Sequence, residues 1–427
     1  MNNSHKDVTK SNFRAFKCPT ILIDAGFPIW LIASIIIVAF SFELSLSENI
    51  IKVLIPLCVV SCIAFLHYKL HIKYAEYLLF FSISITSLFG LTQTLTGSHA
   101  ESSNILLYGF SFYTASIAYL IALKSFNYSK IFNVSNPLLL FTGPIALFIK
   151  SVKYKKINNR VKYYFPFIII GVFMFQVVGS PLTEFFYLID NTDVVSSILF
   201  ASIFELFVYM NFCGLSLLIY GLFGILGYRI PLNFKQPFSS SNIVEFWRGW
   251  HTSLSQVLKV LFYKKLRTKF SLFIALVGVY VSSAMWHGVT INFFIWGLFH
   301  AILFWLSLRL MKLGKVFLPL LLMPIIIVIG RLIFADSNTE RLVQKLLFSF
   351  DGFEGAFSIL TVPTHSLISL IFGFCMIFVE IAFRKTNVMR KRNYKHLRSP
   401  FMSLVLCTLG LLFISNVGVD YAVYGQR

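Results

Sequence analysis

Apolar stretches long enough to cross a lipid bilayer recur along the whole chain, and they constrain its fold more than any other feature. A run of about 20 apolar residues spans the hydrocarbon as a helix. Within that layer each backbone N–H and C=O must be satisfied inside the segment. The composition agrees: 57% of the 427 residues are hydrophobic, 13% are charged and 48 are Phe. Soluble domains are about 45–50% apolar and about 25% charged. Mean hydropathy is +0.78. A soluble core cannot absorb this excess, so the chain is expected to be an all-α polytopic membrane protein.

Reading apolar runs together with loop charge predicts about eleven transmembrane helices. They lie near residues 21–42, 50–66, 75–95, 104–123, 163–183, 195–222, 271–286, 292–309, 316–335, 366–383 and 401–418. Basic clusters fill every second gap: Lys69 and Lys73, Lys150 to Lys162, Arg229 to Lys269, Arg309 to Lys315, and Arg384 to Arg398. Acidic residues fill the others: Glu43 and Glu48, Glu101, Asp190 and Asp193, and Asp336 to Glu354. Lys and Arg mark cytoplasmic loops, so the N-terminus is expected in the cytoplasm and the C-terminus outside. The net charge of +20 is then a property of those loops and implies no nucleic acid partner. The partner implied is the bilayer itself.

The first run follows a basic tail (Lys6, Lys10, Arg14, Lys17) but is too long for a signal-peptide core and lacks a small-residue cleavage site. The six cysteines show no metal-type pairing and are expected to be free thiols. Two basic-side gaps are too apolar for plain loops. Residues 136–150 (NPLLLFTGPIALFIK) and Asn242–Leu266 are expected to be re-entrant or interfacial. No internal repeat or linker divides the chain, so residues 1–427 are expected to form one integral membrane domain.

Ionisable side chains within spans are costly and mark candidate sites. Glu205 lies in the span 195–222, where packing and a functional role are equally open. His300, in FFIWGLFHAILF, suits a neutral imidazole hydrogen-bonded to a neighbouring helix and is a secondary candidate. His287 sits in SSAMWHGVTINFFIWG, flanked by small residues that permit close approach and by polar Thr290 and Asn292. A desolvated imidazole stays neutral, as a general base or proton relay requires. A second constellation, EFWRGWHTSLS, brings Glu245, Arg248, His251, Ser253 and Ser255 close together. An interfacial belt would explain its tryptophans but not that polar cluster.

These two segments together resemble the membrane-bound O-acyltransferase family, in its bacterial alginate-acetylation and teichoic-acid D-alanylation branch. That branch carries EFWRRWHxSLS, then WHGxxWNFxxWGxxHG some tens of residues later. Here they read EFWRGWHTSLS and WHGVTINFFIWGLFHA. GYRIPLNFKQPF (227–238), YGFSFYTASIAYLI, the Gly143-Pro144 segment, FADSNTE and YAVYGQR extend the likeness in collinear order over residues 104–427. Residues 1–103 match poorly and form a divergent N-terminal set of spans. The chain departs at NFCGLSL (211–217), where the family has DFSGYSD, and at Gly249, Ile291 and Phe334, where it has Arg, Trp and Arg.

The resemblance implies a ring of tilted and re-entrant helices around a thin centre, in a bacterial inner membrane. It implies acyl transfer from a cytoplasmic thioester, acetyl-CoA or an acyl carrier protein, to a glycan acceptor, with no bound cofactor. By the same resemblance His287 is the catalytic base and His251 supports the site or the donor path. Trp286, Asn292, Ser255, Glu245 and Arg248 become candidates for oxyanion or substrate contact. No HExxH motif or carboxylate cluster suggests a metal. O-acetylation of a surface or exported polysaccharide or glycolipid is the first expectation. The alternatives are D-alanyl transfer to teichoic acid and, in a different class, a transporter or flippase with proton-relay histidines. Family members of this branch commonly work with a separate extracytoplasmic protein.

Overall fold

The computed structural model describes residues 156–188, 194–287, 291–314, 317–335, 361–382 and 399–413, with isolated positions elsewhere. Within these residues the fold is helical. Helix α1 (Ile157–Val172) runs on through a π-helical turn, Phe173–Gly179, and a 3-10 turn, Ser180–Glu184. Helix α2 spans Val194–Leu226. Four short elements follow: α3 (Ile243–Gly249), α4 (Thr252–Leu258), a π-turn (Lys259–Tyr263) and α5 (Lys264–Lys269). Then come α6 (Leu272–His287), α7 (Ile291–Lys312), α8 (Phe317–Ala335), α9 (Thr364–Ala382) and α10 (Pro400–Phe413).

Seven of the expected spans therefore have an apolar helix where the sequence placed one. Four reach full membrane-crossing length, and those at residues 272–284, 323–335 and 400–413 are shorter apolar helices. The spans expected before residue 124, the re-entrant segment at 136–150 and the acidic gap at 336–354 fall almost wholly outside the described residues.

Helix α2 forms the centre: 78% of its apolar window is buried, against 22% for α9. Its packing on α1 is close because glycines meet across the contact. A methyl group added at Gly171 would lie 2.6 Å from the Gly214 carbonyl oxygen and the Leu218 amide nitrogen. Without hydrophobic drive between helices in lipid, such backbone approach is what holds them together. A short antiparallel pairing of Lys150–Ser151 with Tyr228–Arg229 joins two of the basic gaps, so those two gaps lie on one face.

Two buried carboxylates tie α2 to peripheral helices. Glu205 pairs with Arg331 of α8, and Glu380 of α9 accepts a hydrogen bond from Tyr209. An ionised group in lipid needs such a partner, and each pair fixes one helix against the central one.

Candidate functional site

The segment 231–253 is folded around one asparagine. Asn233 Oδ1 accepts from Ser253 Oγ at 2.8 Å, from the Ser253 amide at 3.5 Å, and pairs with His251 Nδ1 at 2.9 Å. Since a backbone N–H can only donate, it sets the amide's orientation; Nδ1 of His251 then carries the proton and Nε2 is left as the acceptor. The strand-like stretch is locked further by Thr252 N to Asn233 O at 2.8 Å and Thr252 Oγ1 to Leu232 O at 2.6 Å.

His251 itself has a φ of 40°, the left-handed region that non-glycine residues seldom adopt. This turn breaks the run between α3 and α4 and aims the imidazole inward, where Phe212 of α2 meets it edge-on at 4.8 Å. Burial, reinforced by nearby His287, pushes the imidazole down to about 3, so it is neutral at physiological pH.

His287 ends α6 and is half-buried. Its ring lies 5.1 Å from Phe334 of α8 and 6.3 Å from Phe293 and Trp296 of α7. Among the described residues nothing hydrogen-bonds to it, and neither ring nitrogen is sealed off. An imidazole with no hydrogen-bond partner among the described residues is one that can accept a proton from a hydroxyl brought to it.

The two motifs meet at Arg331: its guanidinium lies over the ring of Trp250, next to His251, and over the ring of Phe334, which is 5.1 Å from the His287 ring. Trp250 is only 6% exposed, with Tyr209 and Phe246 against it, and Trp247 packs on Tyr280, Trp296 and His300. These tryptophans pack the first motif among the helices.

The other candidates separate. Asn292 donates to the Ile333 and Phe334 carbonyls at 3.3 Å each, so its amide clasps α7 to α8 and is not held free for an oxyanion. Glu245 accepts from Ser241 Oγ at 2.8 Å while its amide donates to Asn242 Oδ1 at 2.9 Å, contacts that cap the start of α3. Arg248 and Ser255 are exposed. The Trp286 side chain lies outside the described residues. His300 is buried in an aromatic cage of Trp247, Trp296, Phe299 and Tyr280, with Nδ1 enclosed and unbonded. The hydrogen bond to a neighbouring helix expected of it is not seen among the described residues, where the ring is held by aromatic packing.

Two residues that sequence reasoning passed over belong here. One is Asn233, whose signal was only its place in IPLNF ahead of the first motif. The other is Arg331, a cation inside the apolar run 316–335, which should have been weighed together with Glu205 as a charge-complementary pair. Its guanidinium lies 5.1 Å from the Trp250 ring and 5.3 Å from the Phe334 ring.

A model of the membrane-bound O-acyltransferase family matches residues 70–330. A probable alginate O-acetylase of Pseudomonas aeruginosa is 30% identical over 184 residues, covering 40% of this chain and 35% of that protein. A peptidoglycan O-acetyltransferase of Helicobacter pylori is 29% identical over 181 residues, 38% of this chain and 34% of the relative. A teichoic acid D-alanyltransferase of Bacillus subtilis is 27% identical over 151 residues, 32% and 38% respectively. The chain thus aligns with only about a third of the length of each of these relatives.

Proposed function

Because the chain belongs to the membrane-bound O-acyltransferase family and is a multi-pass membrane protein, we propose that it transfers an acetyl group from a cytoplasmic thioester to a hydroxyl of a cell-surface or exported glycan. The observation that carries this reading is that the two histidine motifs meet at Arg331, which lies over Trp250 beside His251 and over Phe334 against His287. The relatives named above act, by their names, on alginate, peptidoglycan and teichoic acid, all cell-envelope or exported polymers.

In this reading the acceptor hydroxyl attacks the thioester carbonyl as its proton passes to His287. Positioned proton transfer of this kind contributes about 10²–10⁴-fold. The tetrahedral intermediate collapses, the C–S bond breaks, and the proton on His287 neutralises the departing thiolate. Ester and thiol are the products, and the imidazole is restored. His251, fixed by Asn233, offers Nε2 to hold the acceptor or the donor in line. Aromatic walls around His287 keep bulk water from competing for the thioester. The basic face (Lys264, Lys265, Arg267, Lys269) is cytoplasmic in this reading and suits CoA phosphates or an acidic carrier alike.

The deciding experiment compares envelope glycans, by mass spectrometry, from cells with the wild-type chain, His287→Ala and no protein. Loss of one acyl ester in the last two, at normal membrane abundance of the variant, is the expected result. An ester content untouched by His287→Ala would sink the catalytic assignment. A missing alanyl group in place of acetyl would give the D-alanyl alternative.

A further inference from the structure

Acyl transfer needs a donor for the oxyanion of the tetrahedral intermediate, and Asn292 is engaged elsewhere. The buried charges supply another group. Arg331 is 6% exposed and bonds Glu205 through Nε alone. Among the described residues its two terminal nitrogens have no hydrogen-bond partner, and they are not fully enclosed, in contrast to Oε1 of Glu205. A guanidinium has five donors in a rigid fork, so one edge is anchored and the other is available.

That free edge belongs to the site. Arg331 and His287 flank the same Phe334 ring, at 5.3 and 5.1 Å. On its other side Arg331 lies over Trp250, the residue before His251. Arg331 therefore touches the first motif directly and shares the Phe334 ring with His287. A buried ion pair whose sole task was to join α2 to α8 would gain by satisfying all its donors. Here half the fork is left open on a side chain that shares the Phe334 ring with His287.

Resting on the acyl-transfer reading above, we propose that Arg331 is a catalytic residue whose terminal guanidinium nitrogens bind the developing oxyanion, with Glu205 holding it in place. The charge lies where negative charge forms in the transition state, in a low-dielectric setting that strengthens the interaction. Pairing with Glu205 keeps the resting site neutral overall, so that neither the thioester nor the acceptor hydroxyl meets an unbalanced cation.

The test uses membrane vesicles containing the full chain, given acetyl-labelled acetyl-CoA, with base-labile label on the glycan fraction as readout. Arg331→Gln removes the cation but leaves Glu205 buried and unpaired. Arg331→Gln with Glu205→Gln removes both charges and keeps a neutral hydrogen bond between α2 and α8. Arg331→Lys keeps the ion pair without the fork. Loss of an oxyanion donor predicts about a 10²–10³-fold fall in turnover for Arg331→Gln and for the double variant alike. The KM for acetyl-CoA should stay unchanged, because the contact exists only in the transition state. Arg331→Lys should lose about tenfold or more at normal abundance. Recovery of wild-type turnover by the double variant, or full turnover in Arg331→Lys, would overturn the proposal in favour of a structural ion pair. His287→Ala in the same vesicles separates the two readings. If it is inactive while the Arg331 variants are not, only the oxyanion role falls; if it matches wild type, acyl transfer by His287 falls as well.

Discussion

Replacing Asn233 with Ala tests whether His251 works through its orientation. The substitution removes one acceptor shared by His251 Nδ1 at 2.9 Å and Ser253 Oγ at 2.8 Å; the Ser253 amide, at 3.5 Å, orients the acceptor but adds little energy. Each neutral hydrogen bond contributes about 1 kcal/mol net, and a buried donor left without a partner costs about 1–3 kcal/mol. Ser253 can rotate its hydroxyl, but the His251 ring is held in a buried, left-handed turn and has no such freedom. The expected penalty is therefore about 2–4 kcal/mol, most of it at the imidazole. If about 1–3 kcal/mol falls on the reactive orientation, turnover drops about 5- to 150-fold. The assay is acetyl transfer in vesicles, with membrane abundance as control. Asn233→Asp retains the acceptor and should lose far less, while its carboxylate favours imidazolium and moves the acid limb of the pH profile upward. Full turnover and an unchanged thermal midpoint in Asn233→Ala would refute the reasoning.

Gly171→Ala should destabilise the protein by about 1–3 kcal/mol, because the new methyl meets α2 backbone that cannot yield; thermal unfolding in detergent measures it. His300→Leu should lower stability by about 1–2 kcal/mol through lost ring contacts while leaving turnover intact, which would separate packing from catalysis. His251 is held neutral, at about 3, well below its unfolded value of about 6.5. The unfolded chain binds the extra proton between those values, so stability falls as pH drops from about 6.5 toward 3. His251→Gln should flatten that part of the midpoint-against-pH curve; an unchanged slope would count against the buried neutral imidazole. Reporter fusions after residues 190 and 265 should fall on opposite sides of the membrane; finding both on one side would refute the charge-derived orientation.

Much of the site was legible because its chemistry sits in contiguous motifs. His287 stands out as an imidazole in an apolar run, and His251 as a polar group among tryptophans. Their neighbours were not legible in the same way. Asn292 and Glu245 look like candidate substrate contacts in a string of letters, and only three-dimensional neighbours show one clasping two helices and the other capping one. Arg331 and Glu205 are 126 positions apart, and nothing local to either announces the pair.

The sequence by itself determined the solvent and the helices, because apolar runs and backbone hydrogen bonding leave a chain in lipid few other choices. Its motifs likewise identified the family. The tertiary structure alone decided burial and partnership: how closely the first motif packs among the helices, and which side chains are committed to packing. Those properties depend on contacts between segments distant in the chain. Burial turns each such contact from a weak preference into a requirement, since a polar group deep in the protein must find its partner there.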